Sequence, residues 1–122
     1  VGPDRSGKKD NHANNSFTWE GDLFRNWVAE HKLSNFVVCC GDRHWQYHSV
    51  HPETKLQEFS CGPVSNSHAG GTPGHDMEIQ PFHRVKGGFL TVNVFREDNQ
   101  PQLEIRFHDV HGKVVYKYRL GS

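Results

Sequence analysis

The run Phe36-Val37-Val38-Cys39-Cys40 shows no polar alternation and stops abruptly at Gly41, Asp42, Arg43, His44 and Trp45. An apolar segment this short, with β-branched residues in it, predicts a buried strand covered on both faces by helices or a second sheet. It is therefore expected to be the central strand, and the rest of the chain has to supply its cover.

Upstream, Trp19, Leu23, Phe24, Trp27 and Val28 recur at three- and four-residue intervals, Ser16 or Thr18 can cap the start, and Glu20 and Asp22 sit near the positive end of the helix dipole. This predicts a helix over about residues 18–32, ended near Ser34 and Asn35. Downstream, Gln46–Val50 and Leu56–Ser60 read as a hairpin joined by His-Pro-Glu-Thr-Lys. Residues 61–88, dense in Gly, Pro, Ser and His, read as a long surface loop. Phe89–Phe95, Leu103–Phe107 and Val114–Leu120 alternate with period two, separated by Glu-Asp-Asn-Gln-Pro and Asp-Val-His-Gly turns, and predict an antiparallel meander.

The expected fold class is thus α/β with sheet dominating: one main helix, a central buried strand, a hairpin and a C-terminal antiparallel meander. The 122 residues suit a single unit. Residues 1–15 read as loop, 16–88 carry the motifs, and 89–120 form the meander. One helix cannot cover both faces of the central strand and also a face of six strands, so some apolar surface awaits another segment.

Composition narrows the partners. The 14 basic and 14 acidic side chains cancel, which favours neither nucleic acid nor an anionic membrane. The longest apolar runs fall far short of the roughly 20 residues of a membrane span. Cys39, Cys40 and Cys61 have no zinc-ligand spacing, and the ten histidines are scattered.

Chemistry concentrates after the apolar strand. Loops at the carboxyl ends of strands are where ligands sit in open α/β sheets, and Asp42 and His44, two apart on an extended segment, would point the same way towards one metal or a bridged pair. A carboxylate suits Ca²⁺ or Mn²⁺, and imidazole suits Zn²⁺ or iron. Arg43 could meet a phosphate oxygen. A Gly-Asp turn followed by a structural histidine is the plain alternative. Lys9–Asn15 gathers Asp10, Asn11, His12 and Asn14, able to coordinate a metal or simply to cap turns. Cys61 with His68 is a third pairing, thiol and base, with no orienting partner in view.

The stretch from Asp10 through Gly71, with Trp-Glu-Gly-Asp-Leu-Phe-Arg, Gly-Asp-Arg-His-Trp and Glu-Phe-Ser-Cys-Gly-Pro in order, resembles the C-terminal part of PhoD-like alkaline phosphatases of the calcineurin-like metallophosphoesterase superfamily. The resemblance implies the β-dominated half of a metallophosphoesterase-type sandwich and metal-dependent phosphoester hydrolysis, as phosphatase or phosphodiesterase. It implies two cations, from among Fe, Mn, Zn and Ca, about 3.5 to 4 Å apart on the phosphate. Asp42 and His44 fall on the positions of the last metal motif, one for each metal, with Arg43 at the variable position beside the substrate. Asn11 and His12 fall where an active-site loop approaches the metals, and His12 could protonate the leaving oxygen. Export to the periplasm or cell exterior is also implied.

The superfamily's earlier motifs have no counterpart upstream of residue 9. They would belong to a missing N-terminal half of the same domain, so the isolated chain is expected to be inactive and its partners to be that half and a phosphoester. The competing expectation is a non-catalytic β-rich binding module with a structural metal or none; a family member that lost activity is a third.

Overall fold

A computed structural model describes residues 17–120. The helix α1, Thr18–Glu30, begins after Phe17, which offers no side-chain cap; Ser16 lies outside the described residues, and Thr18 is already the first helical residue rather than its cap. The helix ends earlier than its periodicity suggests. Lys32 turns into the left-handed region at φ 51°, and the Lys32 and Leu33 amides donate to the carbonyls of Ala29 and Val28 at 3.0 and 3.3 Å. These two bonds satisfy carbonyls that a helix end otherwise leaves open.

Four strands form one sheet: β1 Val37–Cys40, β2 Gln46–Val50, β3 Gln57–Cys61 and β4 Phe82–Arg84, in the order β1-β3-β2-β4. β3 runs antiparallel to β2, as the hairpin requires, and parallel to β1, with Val37 opposite Gln57. The expected central strand is therefore an edge strand among the described residues, and Cys39 is exposed. The hairpin folds its second strand back between β1 and β2, which displaces β1 outward. The long loop is also not all loop. A 3₁₀ turn at Asn66–His68 and strand β4 interrupt it, and β4 pairs with β2 through His83 opposite Tyr47.

The meander appears as expected, with longer strands: β5 Gly88–Glu97, β6 Gln100–Asp109 and β7 Val114–Leu120. Asp98 and Asn99 both adopt positive φ, 50° and 64°, the two-residue turn whose twist matches an antiparallel pair. Alternation then sorts the sheet. Its inner face carries Leu90, Leu103, Ile105, Phe107, Tyr116 and Tyr118, and Ile105 and Phe107 join Phe59 of β3 in a fully buried core.

On the outer face Glu104 is buried beneath Arg106 and Arg119, the latter donating to it at 2.8 Å. That hydrogen bond, and the one from Arg106, hold the Glu104 carboxyl below its ordinary range. Arg119 also pairs with Glu97 at 3.3 Å.

His48 of β2 crosses between the two sheets. Its ring stacks on Phe59 at 4.3 Å, Nε2 meets the Gln57 amide oxygen at 2.8 Å and Nδ1 meets the Tyr116 hydroxyl at 2.9 Å. An amide oxygen can only accept, so Nε2 carries the proton and Nδ1 accepts from Tyr116. Gln57 extends the chain by donating to the Tyr118 hydroxyl at 2.5 Å. Burial lowers the His48 pKa from its usual value. His51 and His83 are shifted the same way, again chiefly by burial.

A histidine depressed in the folded state stays neutral there while the unfolded chain takes up a proton near pH 6.5, so its contribution is present above that pH and is lost below it. Urea unfolding between pH 7.5 and 5 should therefore show stability falling as pH drops below about 6.5. His48→Gln should flatten that slope while lowering stability at pH 7.5; an unchanged slope would show that His48 is not the group responsible.

Candidate functional site

The turn after β1 is held from below. Trp45 is buried, its carbonyl accepts the Ser60 hydroxyl at 3.3 Å, and the Arg43 guanidinium lies 5.5 Å over its ring. The loop after the 3₁₀ turn grips the same segment, with the Gly70 amide donating to the His44 carbonyl at 3.0 Å. Arg43 is 7 % exposed, which turns it into the protein, while Asp42 and His44 on either side are exposed.

The reason for this alternation differs from the expected extended segment. Asp42 sits at φ 68°, a left-handed conformation that L-residues adopt reluctantly and Asp more readily than most. The bend throws both flanking side chains outward at the carboxyl end of β1. Among the described residues, neither the Asp42 carboxylate nor the His44 imidazole is engaged in a hydrogen bond or ion pair.

Behind the turn lies a polar group that sequence reasoning did not single out. On the sheet face away from the meander, the Tyr47 hydroxyl donates to Glu58 at 2.5 Å and approaches the Cys40 sulfur at 3.6 Å. Burial, with the Glu58 charge beside it, pushes the Cys40 thiol up to about 12, and burial likewise raises Tyr47 well above the ordinary phenol range. Neither group is an ionised nucleophile at neutral pH; they brace the end of β1. The one available signal was a carboxylate in the middle of Gln57–Cys61, an otherwise strand-forming segment.

The other expected residues are dispersed. Asn11 and His12 lie outside the described residues. The Cys61 thiol donates to the Gly62 carbonyl at 3.4 Å instead of meeting His68, which is exposed on the 3₁₀ turn. Among the described residues no group of three or more His, Cys, Asp and Glu side chains could hold a metal ion. Asp42 and His44 are thus two potential donors without a side-chain partner among the described residues, fewer than a closed coordination shell needs. No protein-family model, curated protein or solved structure matches the chain.

The backbone of Asp42 separates a structural role from a functional one. Glycine tolerates positive φ without the side-chain penalty, so Asp42→Gly should hold the melting temperature or raise stability by up to about 1 kcal/mol. Circular dichroism melts measure this directly, and a clear fall in melting temperature would identify the carboxylate as a turn-stabilising group.

Proposed function

We propose that the chain is the C-terminal part of a PhoD-like metallophosphoesterase and supplies Asp42 and His44 to a site for metal-dependent phosphoester hydrolysis. The carrying observation is the paired exposure of a carboxylate and an imidazole, unengaged among the described residues, on a bent, braced turn at the carboxyl end of β1. The resemblance of Gly-Asp-Arg-His-Trp and its flanking segments to the family's last metal motif supports the same reading.

In this reading Asp42 and His44 hold cations on a rigid turn, and Trp45 walls the base of the site from water. Bound cations would polarise the phosphate and acidify a water molecule. Arg43, now over Trp45, serves as a phosphate contact only where the remaining half of the enzyme reshapes the turn. His12 is the proton donor to the leaving oxygen, with Asn11 beside it. The β-dominated pair of sheets with one helix is compatible with the β-dominated half of a metallophosphoesterase sandwich, whose other half would supply the remaining ligands.

Two ligands alone give a weak site, with a Kd of roughly 10⁻³ M for the isolated chain. Titration with Mn²⁺ should broaden the amide resonances of residues 41–45 first, with the effect lost in His44→Ala. The chain alone should not hydrolyse p-nitrophenyl phosphate. Broadening spread evenly over surface carboxylates, or unchanged in His44→Ala, would overturn the assignment and leave a β-rich binding module.

A further inference from the structure

Two of the three thiols share one face of the first sheet. β1 and β3 run parallel with Cys39 opposite Phe59, and Phe59 faces the meander in the core. Val37, two residues before Cys39, packs on that same core. Cys61, two residues beyond Phe59, pairs with Gln46, whose side chain reaches across to the His108 carbonyl of β6 at 3.0 Å. The alternation of a strand therefore turns Cys39 and Cys61 to the meander side, at diagonal positions on neighbouring strands. Cys40 points to the opposite face, where its sulfur meets the Tyr47 hydroxyl at 3.6 Å.

The spacing of the pair is informative. A parallel neighbour about 4.8 Å away, offset by two residues of about 3.3 Å each, puts the two Cα atoms about 8 Å apart. A disulfide spans at most about 6.8 Å between Cα atoms, so this pair does not close into one without moving the backbone. An ion bonded to both sulfurs at about 2.3 Å places them roughly 4.6 Å apart, where an S–S bond is about 2 Å, and suits the longer span. The residue on β1 nearest Cys61 is Gly41, where an added Cβ would lie 3.9 Å from the Cys61 sulfur. Its φ is not positive, so the backbone does not call for glycine there; the missing side chain keeps β1 from crowding that sulfur. Cys39 is exposed and Cys61 half-buried, which leaves the pair open to solvent on one side. The Cys39 thiol is raised by desolvation first and then by the charge of Cys61, as two sulfurs within range of each other require.

We propose that Cys39 and Cys61 form a two-coordinate site for a soft monovalent cation, Cu(I). Thiolate ligands select soft ions over hard ones. The number of ligands then decides among the soft ions. Among the described residues no group of three or more His, Cys, Asp and Glu side chains can hold a metal, so the tetrahedral shell that Zn²⁺ takes in structural sites is not on offer, whereas Cu(I) is satisfied by two thiolates in line. On binding, each thiol releases its proton to water and no electron is transferred. The Cys61 thiol gives up its hydrogen bond to the Gly62 carbonyl, a contact of 3.4 Å. The bound ion ties β1, an edge strand among the described residues, to β3 just ahead of the Asp42 turn. The site uses neither Asp42 nor His44 and does not rest on the phosphoesterase reading, so either can fail without the other.

The test titrates Cu(I) under argon into the full, reduced chain against a chromophoric Cu(I) chelator, with native mass spectrometry for stoichiometry and X-ray absorption for the ligand count. One ion per chain, held by two sulfurs, is expected. Cys39→Ser, changed at an exposed position, should weaken binding by about a hundredfold or more, while Cys40→Ala, on the opposite face, should leave the affinity within about threefold; circular dichroism checks that both variants keep the fold. Equal affinity in Cys39→Ser would overturn the proposal, as would a shell containing nitrogen or a third sulfur, or the loss of binding in a folded Cys40→Ala. Zn²⁺ held as tightly as Cu(I) would overturn the choice of ion. Ready closure of a Cys39–Cys61 disulfide by diamide, seen as a mass loss and a linked peptide, would overturn the spacing on which the site stands.

Discussion

The two sheets are held in one relative position by His48. Burial of Phe59, Ile105 and Phe107 draws the sheets together, but apolar contact has no direction and would tolerate sliding. The hydrogen bonds of His48 to Gln57 and Tyr116, extended from Gln57 to Tyr118, tie β2 and β3 to β7 at fixed points. A buried polar network of this kind selects one register because any other leaves its members unsatisfied. Once β3 is placed, β1 follows by parallel pairing, and the turn carrying Asp42 and His44 follows from β1. The clamp thus sets the position of a site with which it shares no contact.

The candidate site hangs on the end of one short strand. β1 has only four residues and carries Asp42 and His44 at its carboxyl end. The bracing comes from elsewhere: Trp45 on Ser60, Gly70 on His44, Tyr47 with Glu58 beside Cys40.

The meander was legible because strict period-two alternation is a local signal; the five residues read as its first turn shrink to Asp98 and Asn99, with Glu97, Gln100 and Pro101 drawn into the paired strands. The helix was legible in place but not in orientation. Trp19, Leu23 and Trp27 satisfy the periodicity of a buried face, yet periodicity cannot say which of two apolar flanks meets the sheet and which stays open. The apolar run at Phe36–Cys40 was read as central for a sound reason, two-sided hydrophobicity, and stands at an edge because the hairpin strand β3 inserts beside it. β4 escaped notice since three residues between Pro81 and Val85 carry too little pattern to register. At the site, Asp42 and His44 were identified from residue types and place in the chain. The left-handed conformation of Asp42 and the packing of the Arg43 guanidinium over Trp45 are features that no spacing rule contains.

Glu104 bears on how this molecule looks to a charged partner. Arg106, Lys117 and Arg119 project from the outer face of the meander and, counted from sequence, compose a cationic stripe. Glu104 lies beneath two of them and Glu97 beside one, so the positive field of the pair is cancelled within a few ångströms of its source. Beyond a Debye length of about 8 Å little of it survives in physiological salt. The balance of 14 against 14 charges is in this respect a local arrangement, and a polyanion approaching that face would meet hydrogen-bond donors already committed to carboxylates.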